Sequence, residues 1–313
     1  MSKKSDDTDV RSELRIAVSE SIRTTKRVYS NVFRRSTIEA GLLEKIVLYL
    51  LVGLVMFISL FPYYWMFVTS VAPPEVLYSP PPSLIPEEVS LDTYRQLFAA
   101  EITFVTYFIN SLFVATVSSA LAVGIATFGA YSFARLEYPG RSLLSRGVLG
   151  SYMISGILMV VPIFQIVVWL GLVDTLTSLI ATHFIFTIPL GLYLLGNYFR
   201  SIPHEIEEAA MIDGYSRFEV ITRITVPMSI PAIIAVYLYS FMLSWNEYLY
   251  AVIFIQSQEK YTLPIGIEFL QFEFDFVWGE VMAASLLMTI PIIIMFLYLE
   301  EYMVEGLDFG SMD

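Results

Sequence analysis

From Ile46 to Ser70 the sequence runs without a charged side chain. A helix of that length exceeds the ~30 Å thickness of a bilayer's hydrocarbon core at about 1.5 Å per residue. Five further apolar stretches follow, over roughly residues 105–134, 147–170, 179–198, 228–255 and 281–299. With 56% hydrophobic and 15% charged residues and a mean hydropathy of +0.67, the chain is too apolar for an ordinary soluble domain. The expected fold class is an all-α integral membrane protein with six transmembrane helices.

Charge between the apolar stretches sets the orientation. Of the 18 Lys and Arg residues, 10 precede the first span, 3 lie in 135–146 and 3 in 200–223, whereas Arg95 and Lys260 stand alone in the two long opposite loops. The excess of basic residues on one side places both termini and the 200–227 segment in the cytosol. The organisation expected is a cytosolic N-terminal segment over 1–45, a first span over 46–70, a core over 105–300 holding five spans and the 200–227 loop, and a cytosolic tail over 301–313. No short apolar stretch with a small-residue cleavage site marks the N-terminal segment as a secretory signal. Residues 71–104, rich in Pro, read as an extracytoplasmic loop with a short interfacial helix over 91–100. In the second span Ser118, Ala122, Ala126, Ala130 and Ala134 recur every fourth residue, a stripe that lets a neighbouring helix approach closely in lipid. Residues 135–146 read as a basic turn before the third span.

Composition also excludes chemistry. Cys is absent, which removes disulfides, thiolate catalysis and Cys-ligated metals, and two His residues leave little for a metal site. No Gly-x-x-x-x-Gly-Lys-Ser/Thr loop is present to cradle ATP phosphates. Catalytic residues, metal and cofactor are therefore all expected to be none. A net charge of −12 argues against nucleic acid as a partner. One physical reading of that acidity is a very salty cytoplasm, such as a halophile's, where surface charge is heavily screened.

Between the fourth and fifth spans, residues 202–227 form a polar island. Pro203 suits a helix's first turn, and Glu205, Glu207 and Glu208 follow where the positive end of the helix dipole favours anions. Gly214 permits a left-handed stop, and Ser216 with Glu219 has capping-box spacing for a second short helix ending before Pro227. The prediction is helix, glycine turn, helix. Ile206, Ala209 and Ala210 share a face of the first helix by spacing, and small residues let another backbone come close. Two readings fit this pattern alone: a docking element, or an amphipathic hairpin lying on the membrane surface.

The spacing Glu208-Ala209-Ala210, three residues, Gly214, nine residues, Ile224, then Val226-Pro227 resembles the EAA loop of permease subunits of binding-protein-dependent ABC importers. The sugar-importing, maltose-type branch is resembled by Phe61-Pro62-Tyr63-Tyr64-Trp65, Asn110-Ser111, Ala130-Tyr131-Ser132-Phe133-Ala134-Arg135, Pro139-Gly140-Arg141, Trp245-Asn246-Glu247 and Val304 to Gly310. The resemblance implies a type I ABC importer permease fold in a prokaryotic plasma membrane. It implies as partners a second permease subunit, two ATPase subunits, an extracytoplasmic solute-binding protein and a sugar substrate. It further implies that Glu208, Ala209, Ala210, Asp213, Gly214, Ile224 and Pro227 couple the chain to an ATPase.

Within the spans, Asn110, Asn246, Glu247 and His183 are the polar exceptions. An ionisable group in lipid is expensive, so Glu247 is expected to face a water-filled route or to fix packing through an interhelical hydrogen bond. Asn110 and Asn246 are candidates for lining the same route. His183, with no second His or Cys near it in sequence, reads as structural. Trp65, Tyr248 and Tyr250 could stack on sugar rings, but aromatics near span ends are commonly interfacial anchors. A proton-coupled secondary transporter, with Glu247 and His183 as relay groups, is the competing function class. A membrane-embedded enzyme is a third, and it lacks a nucleophile elbow or metal cluster.

Overall fold

A computed structural model of the protein describes residues 42–77, 84–85, 88–99, 104–273 and 278–308. Nearly all of the predicted N-terminal segment and the end of the predicted tail lie outside the described residues. The described elements are helical and fall into two compact units that divide between Tyr64 and Trp65. The first span is α1 (Leu42–Val71), whose turns accommodate Pro62. The interfacial helix is α2 (Asp92–Ala99); the Ser90 hydroxyl accepts from the Asp92 amide at 3.0 Å, and the Tyr94 hydroxyl meets Ser70 Oγ at 2.8 Å.

The second span is α3 (Phe104–Arg135) and the fourth is α6 (Leu176–Ser201), and the two pack along each other. The small-residue stripe is the reason. Ser118, Ala122, Ala126 and Ala130 are all at most 1% exposed, and a Cβ added to Gly191 of α6 would stand 2.8 Å from the Ala126 methyl. Backbones therefore come close enough that dispersion can hold them where lipid supplies no hydrophobic drive.

Two expected spans are broken. Instead of one helix over 147–170, the chain forms α4 (Arg141–Tyr152) and α5 (Gly156–Trp169), bent by 103° at Met153–Ser155. The basic turn is thus divided: Arg135 closes α3, and residues 141–146 form the first half of α4. Ser155, extended at φ −61° and ψ 132°, starts α5 afresh, and Gly156 lies beside Phe186 of α6. In place of a fifth span over 228–255 stand α9 (Ile230–Trp245) and α10 (Leu249–Phe254), separated by Asn246–Tyr248. The sixth span is the start of α12 (Trp278–Asp308), which carries helix on into the predicted tail. Among the described residues four helices are long and apolar enough to cross a membrane singly, and two bent pairs, α4 with α5 and Arg217–Met228 with α9, bring the number to six if each pair is one span.

Residues 256–273, after α10, are ordered rather than featureless. They hold a 3-10 turn (Gln258–Lys260) and α11 (Leu263–Glu273). Asp174, at φ 57° in the turn between α5 and α6, pins them: Oδ1 accepts from the Gln256 and Ser257 amides, each at 2.9 Å, and Oδ2 pairs with Lys260 Nζ at 2.8 Å. The Lys260 ammonium and the Ser257 hydroxyl and amide hold the Asp174 carboxyl well below the usual carboxylate range.

Candidate functional site

The island folds as helix, turn, helix, and the reason is local. α7 (His204–Ile212) starts after Pro203, with Glu205 and Glu207 in its first turn. Gly214 at φ 95° ends it, with the Tyr215 amide donating to the Ala210 carbonyl at 3.1 Å and the Gly214 amide to Met211 at 3.2 Å. These are the two bonds of a Schellman motif, which satisfy carbonyls that a helix end leaves unpaired. α8 (Arg217–Val220) opens with the predicted capping box: the Ser216 hydroxyl accepts from the Glu219 amide, and the Glu219 carboxylate accepts from the Ser216 amide at 3.0 Å. The Ser216 amide and hydroxyl, both donating to the Glu219 carboxylate, hold its carboxyl below the ordinary value.

The second helix does not end before Pro227. It passes through a π turn (Ile221–Thr225) into Val226–Met228, and the 79° bend toward α9 falls at Ser229. The wider π turn drops the regular i−4 bond pattern, which lets a helix tolerate Pro227's missing N–H.

The hairpin is fixed to the bundle by a buried ion pair that pattern reading did not single out. Glu207 Oε1 accepts from Arg135 Nε at 3.0 Å, and the two side chains are 2% and 7% exposed. Tyr131 OH donates to Glu207 Oε2 at 3.0 Å, Thr225 Oγ1 donates to Oε1 at 3.2 Å, and Arg135 Nη2 donates to the Ile202 carbonyl at 2.7 Å. One carboxylate therefore joins the end of α3 and both limbs of the hairpin, and its partner Arg135 extends the link to Ile202 at the end of α6. With three donors on Glu207, the pair meets the condition under which a buried charge is tolerable. The available signal was Arg135 in the last turn of a span, one turn beyond Tyr131; its acidic partner lies 72 residues away in sequence.

The coupling candidates divide between two faces. Ala210 is buried on the same side as Glu207, whereas Glu208, Ala209, Asp213, Gly214 and Pro227 are exposed and Ile224 is half-buried. The expected single face of Ile206, Ala209 and Ala210 is thus split, because Glu207 turns its side of the helix inward. Among the described residues Glu208 pairs with His204 Nδ1, at 3.2 Å across the helix surface, in an exposed pair of small energetic weight. The hairpin's tip is apolar, with Ile212 86% and Phe218 64% exposed; Phe218 also stacks on Phe128 of α3 at 6.1 Å between ring centres.

Inside the spans the polar residues make specific bonds. Asn110 Nδ2 donates to the Glu259 and Tyr261 carbonyls at 2.9 and 3.0 Å, so it holds the ordered loop to α3. Glu247 caps α10, accepting from the Tyr250 and Ala251 amides at 2.8 and 3.1 Å. Asn246, exposed, donates to the Met242 carbonyl at 2.8 Å. Tyr250, buried, donates to the Gly156 carbonyl at 2.7 Å, and Tyr248 donates to the Glu268 carboxylate. His183 is buried, its Nδ1 3.2 Å from Ser244 Oγ, which in turn accepts from Ser118 Oγ at 3.1 Å. This chain of bonds ties α6, α9 and α3 together, in keeping with a structural histidine. Among the described residues no cluster of His, Cys, Asp and Glu could hold a metal ion.

Residues 40–307 match the family described as binding-protein-dependent transport system inner membrane component. The inner membrane ABC transporter permease protein YcjP of Escherichia coli K12 is 42% identical over 270 residues, covering 86% of this chain and 96% of that one. The trehalose/maltose transport system permease protein MalG of Thermococcus litoralis is 37% identical over 273 residues, covering 86% and 97%. Among solved structures, a bacterial ABC transporter involved in import of the acidic polysaccharide alginate shares the fold, with a TM-score of 0.73 at 21% identity over 82% of this chain and 95% of that one.

Proposed function

This chain belongs to the binding-protein-dependent transport system inner membrane component family, and from that membership we propose that it imports a sugar or oligosaccharide by moving the 202–227 hairpin against an ATPase partner. It is a multi-pass membrane protein and an ABC importer permease, so the proton-coupled secondary-transporter reading is set aside. The observation that carries the proposal is the buried Glu207–Arg135 pair: it makes the exposed apolar tip of the hairpin continuous with a span, so that a push on the tip moves the span. A surface-lying amphipathic hairpin would need no such clamp.

The sugar class rests on relatives such as the trehalose/maltose permease. With no phosphate-binding loop in the sequence, ATP hydrolysis falls to two partner ATPase subunits, and a second permease and a solute-binding protein complete the assembly. The residues facing the ATPase are Glu208, Ala209, Asp213 and Gly214, with Ala210, Ile224 and Pro227 shaping the elbow behind them. ATP closes the ATPase pair, the hairpins follow, and the cavity changes sides because ATP binds one of the two states more tightly. Irregular backbone at membrane depth is tolerated where it lines a cavity, so the break at Asn246 and Glu247 is assigned to the route, with Asn110 holding the loop at its outer end. Both termini, including segments 1–45 and 301–313, are assigned to the cytosol.

Because the chain has no Cys, Ile212→Cys supplies a unique thiol at the hairpin tip. In the assembled importer it should crosslink to the ATPase subunit, and uptake of a labelled disaccharide into proteoliposomes should require ATP and survive collapse of the proton gradient. A thiol reached only from the extracytoplasmic side, or uptake without nucleotide, would overturn the reading.

The acidic balance we assign to a salty cytoplasm. The unfolding midpoint should rise steeply between low and molar salt as repulsion is screened. Equal stability in both would remove that assignment.

A further inference from the structure

At the hairpin's end of the bundle, three arginines surround a pocket of about 550 Å³ that has no part in the coupling just described. Arg141 and Arg146 of α4 and Arg200 of α6 line it together with Ser145, Phe133 and a single acid, Glu137. Arg141 donates to the Leu136 carbonyl at 3.1 Å and Arg200 to Asn197 Oδ1 at 2.9 Å, so both are held in place with donors to spare. Arg146 has no hydrogen bond or ion pair with the described residues. The start of α4 also borders the pocket, and no side chain caps its first turn. Its amides add donors and the positive end of a dipole. Three guanidinium groups against one carboxylate form a strongly anion-seeking site, and guanidinium matches a phosphate's geometry well.

A second cavity shares Phe133, Ser145 and Arg200 with the first and continues along Leu149, Leu192 and Tyr193. Tyr193 lies seven residues before Arg200 on the same helix, about 10 Å deeper along its axis. A basic mouth at the ends of the spans therefore opens into an apolar groove running toward the bilayer centre.

We propose that this is a binding site for an anionic glycerophospholipid, its phosphate among Arg141, Arg146 and Arg200 and an acyl chain in the groove. A soluble phosphate would satisfy the arginines and leave the groove unfilled, whereas a lipid fills both, and basic pockets on the cytoplasmic side of membrane helices suit anionic headgroups. The proposal rests on the chain spanning the membrane with this end at the cytoplasmic leaflet, and it does not depend on the hairpin's partner.

The test uses the full chain in nanodiscs of equal phosphatidylglycerol and phosphatidylcholine, with retained lipid measured by mass spectrometry after delipidating washes. Wild type should retain phosphatidylglycerol about tenfold over its bulk share, R146Q/R200Q should fall to the bulk ratio, and R146K/R200K should keep most of the enrichment. Unfolding midpoints in phosphatidylcholine discs check that variants are folded; if the double variant is not, the exposed single change Arg146→Gln carries the comparison. Enrichment that persists in a folded Gln variant would overturn the proposal. So would displacement of phosphatidylglycerol by inorganic phosphate at equal concentration, which would mark a soluble-anion site. Enrichment that appears only after removal of residues 1–40 would also overturn it, by making the chain's own N-terminal segment the occupant.

Discussion

Replacing Arg135 with Ala is expected to abolish uptake and to destabilise the hairpin's end of the bundle by about 3–5 kcal/mol, the cost of leaving a buried charge without its partner. The size of the effect follows from where Glu207 sits. Its carboxylate is 2% exposed, so water cannot replace the guanidinium, and Tyr131 and Thr225 are left to hold an anion with neutral donors alone. The remedy for the carboxylate is protonation or expulsion from the pocket, and expulsion would swing α7 off the end of α3. Glu207→Gln should be milder, because the amide oxygen can still accept and no net charge is stranded on it. Arg135→Met combined with Glu207→Leu should recover much of the lost stability, since replacing a whole buried pair with apolar side chains is commonly near neutral. Chemical unfolding of the assembled importer, read beside uptake, checks all three. An Arg135→Ala protein with wild-type stability and uptake would show that the clamp carries neither fold nor force.

The second large effect is expected at Gly214. Its φ of 95° lies where L side chains are strained, and a built Cβ would meet nothing within 4 Å, so the cost is one of backbone conformation and not of crowding. Gly214→Val should cost about 1–3 kcal/mol at the turn. The strain is relieved most readily by abandoning left-handed geometry, which breaks the Schellman bonds from Tyr215 and Gly214 and redirects α8. Uptake should fall at least about tenfold while ATP hydrolysis and membrane insertion persist, if a change near 1.4 kcal/mol passes wholly into coupling. Gly214→Asn should do less harm than Gly214→Ala, because Asn enters the left-handed region more readily. That order separates the turn from an ordinary helical glycine, for which Ala would be the gentler change. Uptake in Gly214→Ala exceeding that in Gly214→Asn would exclude the left-handed turn as the working element.

How far the sequence could be read depended on whether each signal was local. Ser216 and Glu219 meet as their three-residue spacing implies, and Gly214 stops α7 as a lone glycine after a short acidic helix should. The alanine stripe on α3 faces a close neighbour for the same reason, since its period is that of the helix itself. The breaks in the third and fifth spans left no comparable mark. Residues 147–170 and 228–255 are apolar throughout most of their length, and hydropathy measures what lipid tolerates, not whether a helix runs straight. Pro162 lies inside α5 without ending it, while the turn comes at Met153–Ser155, where no proline stands.

What the chain's order of residues determined by itself is that it crosses a bilayer several times and hangs a capped, glycine-turned hairpin between its fourth and fifth spans. Both follow from free energies summed over neighbours in sequence: the transfer of an apolar run into lipid, and the local hydrogen bonding of a helix end. Which face of that hairpin is buried was decided only when α3 and α7 met. Glu207 and Glu208 are adjacent and chemically identical, yet one is enclosed by Arg135, Tyr131 and Thr225 and the other stands exposed beside His204. Their difference is set by desolvation and by partners up to 76 residues away, and nothing short of the packed fold brings those groups within 3.2 Å.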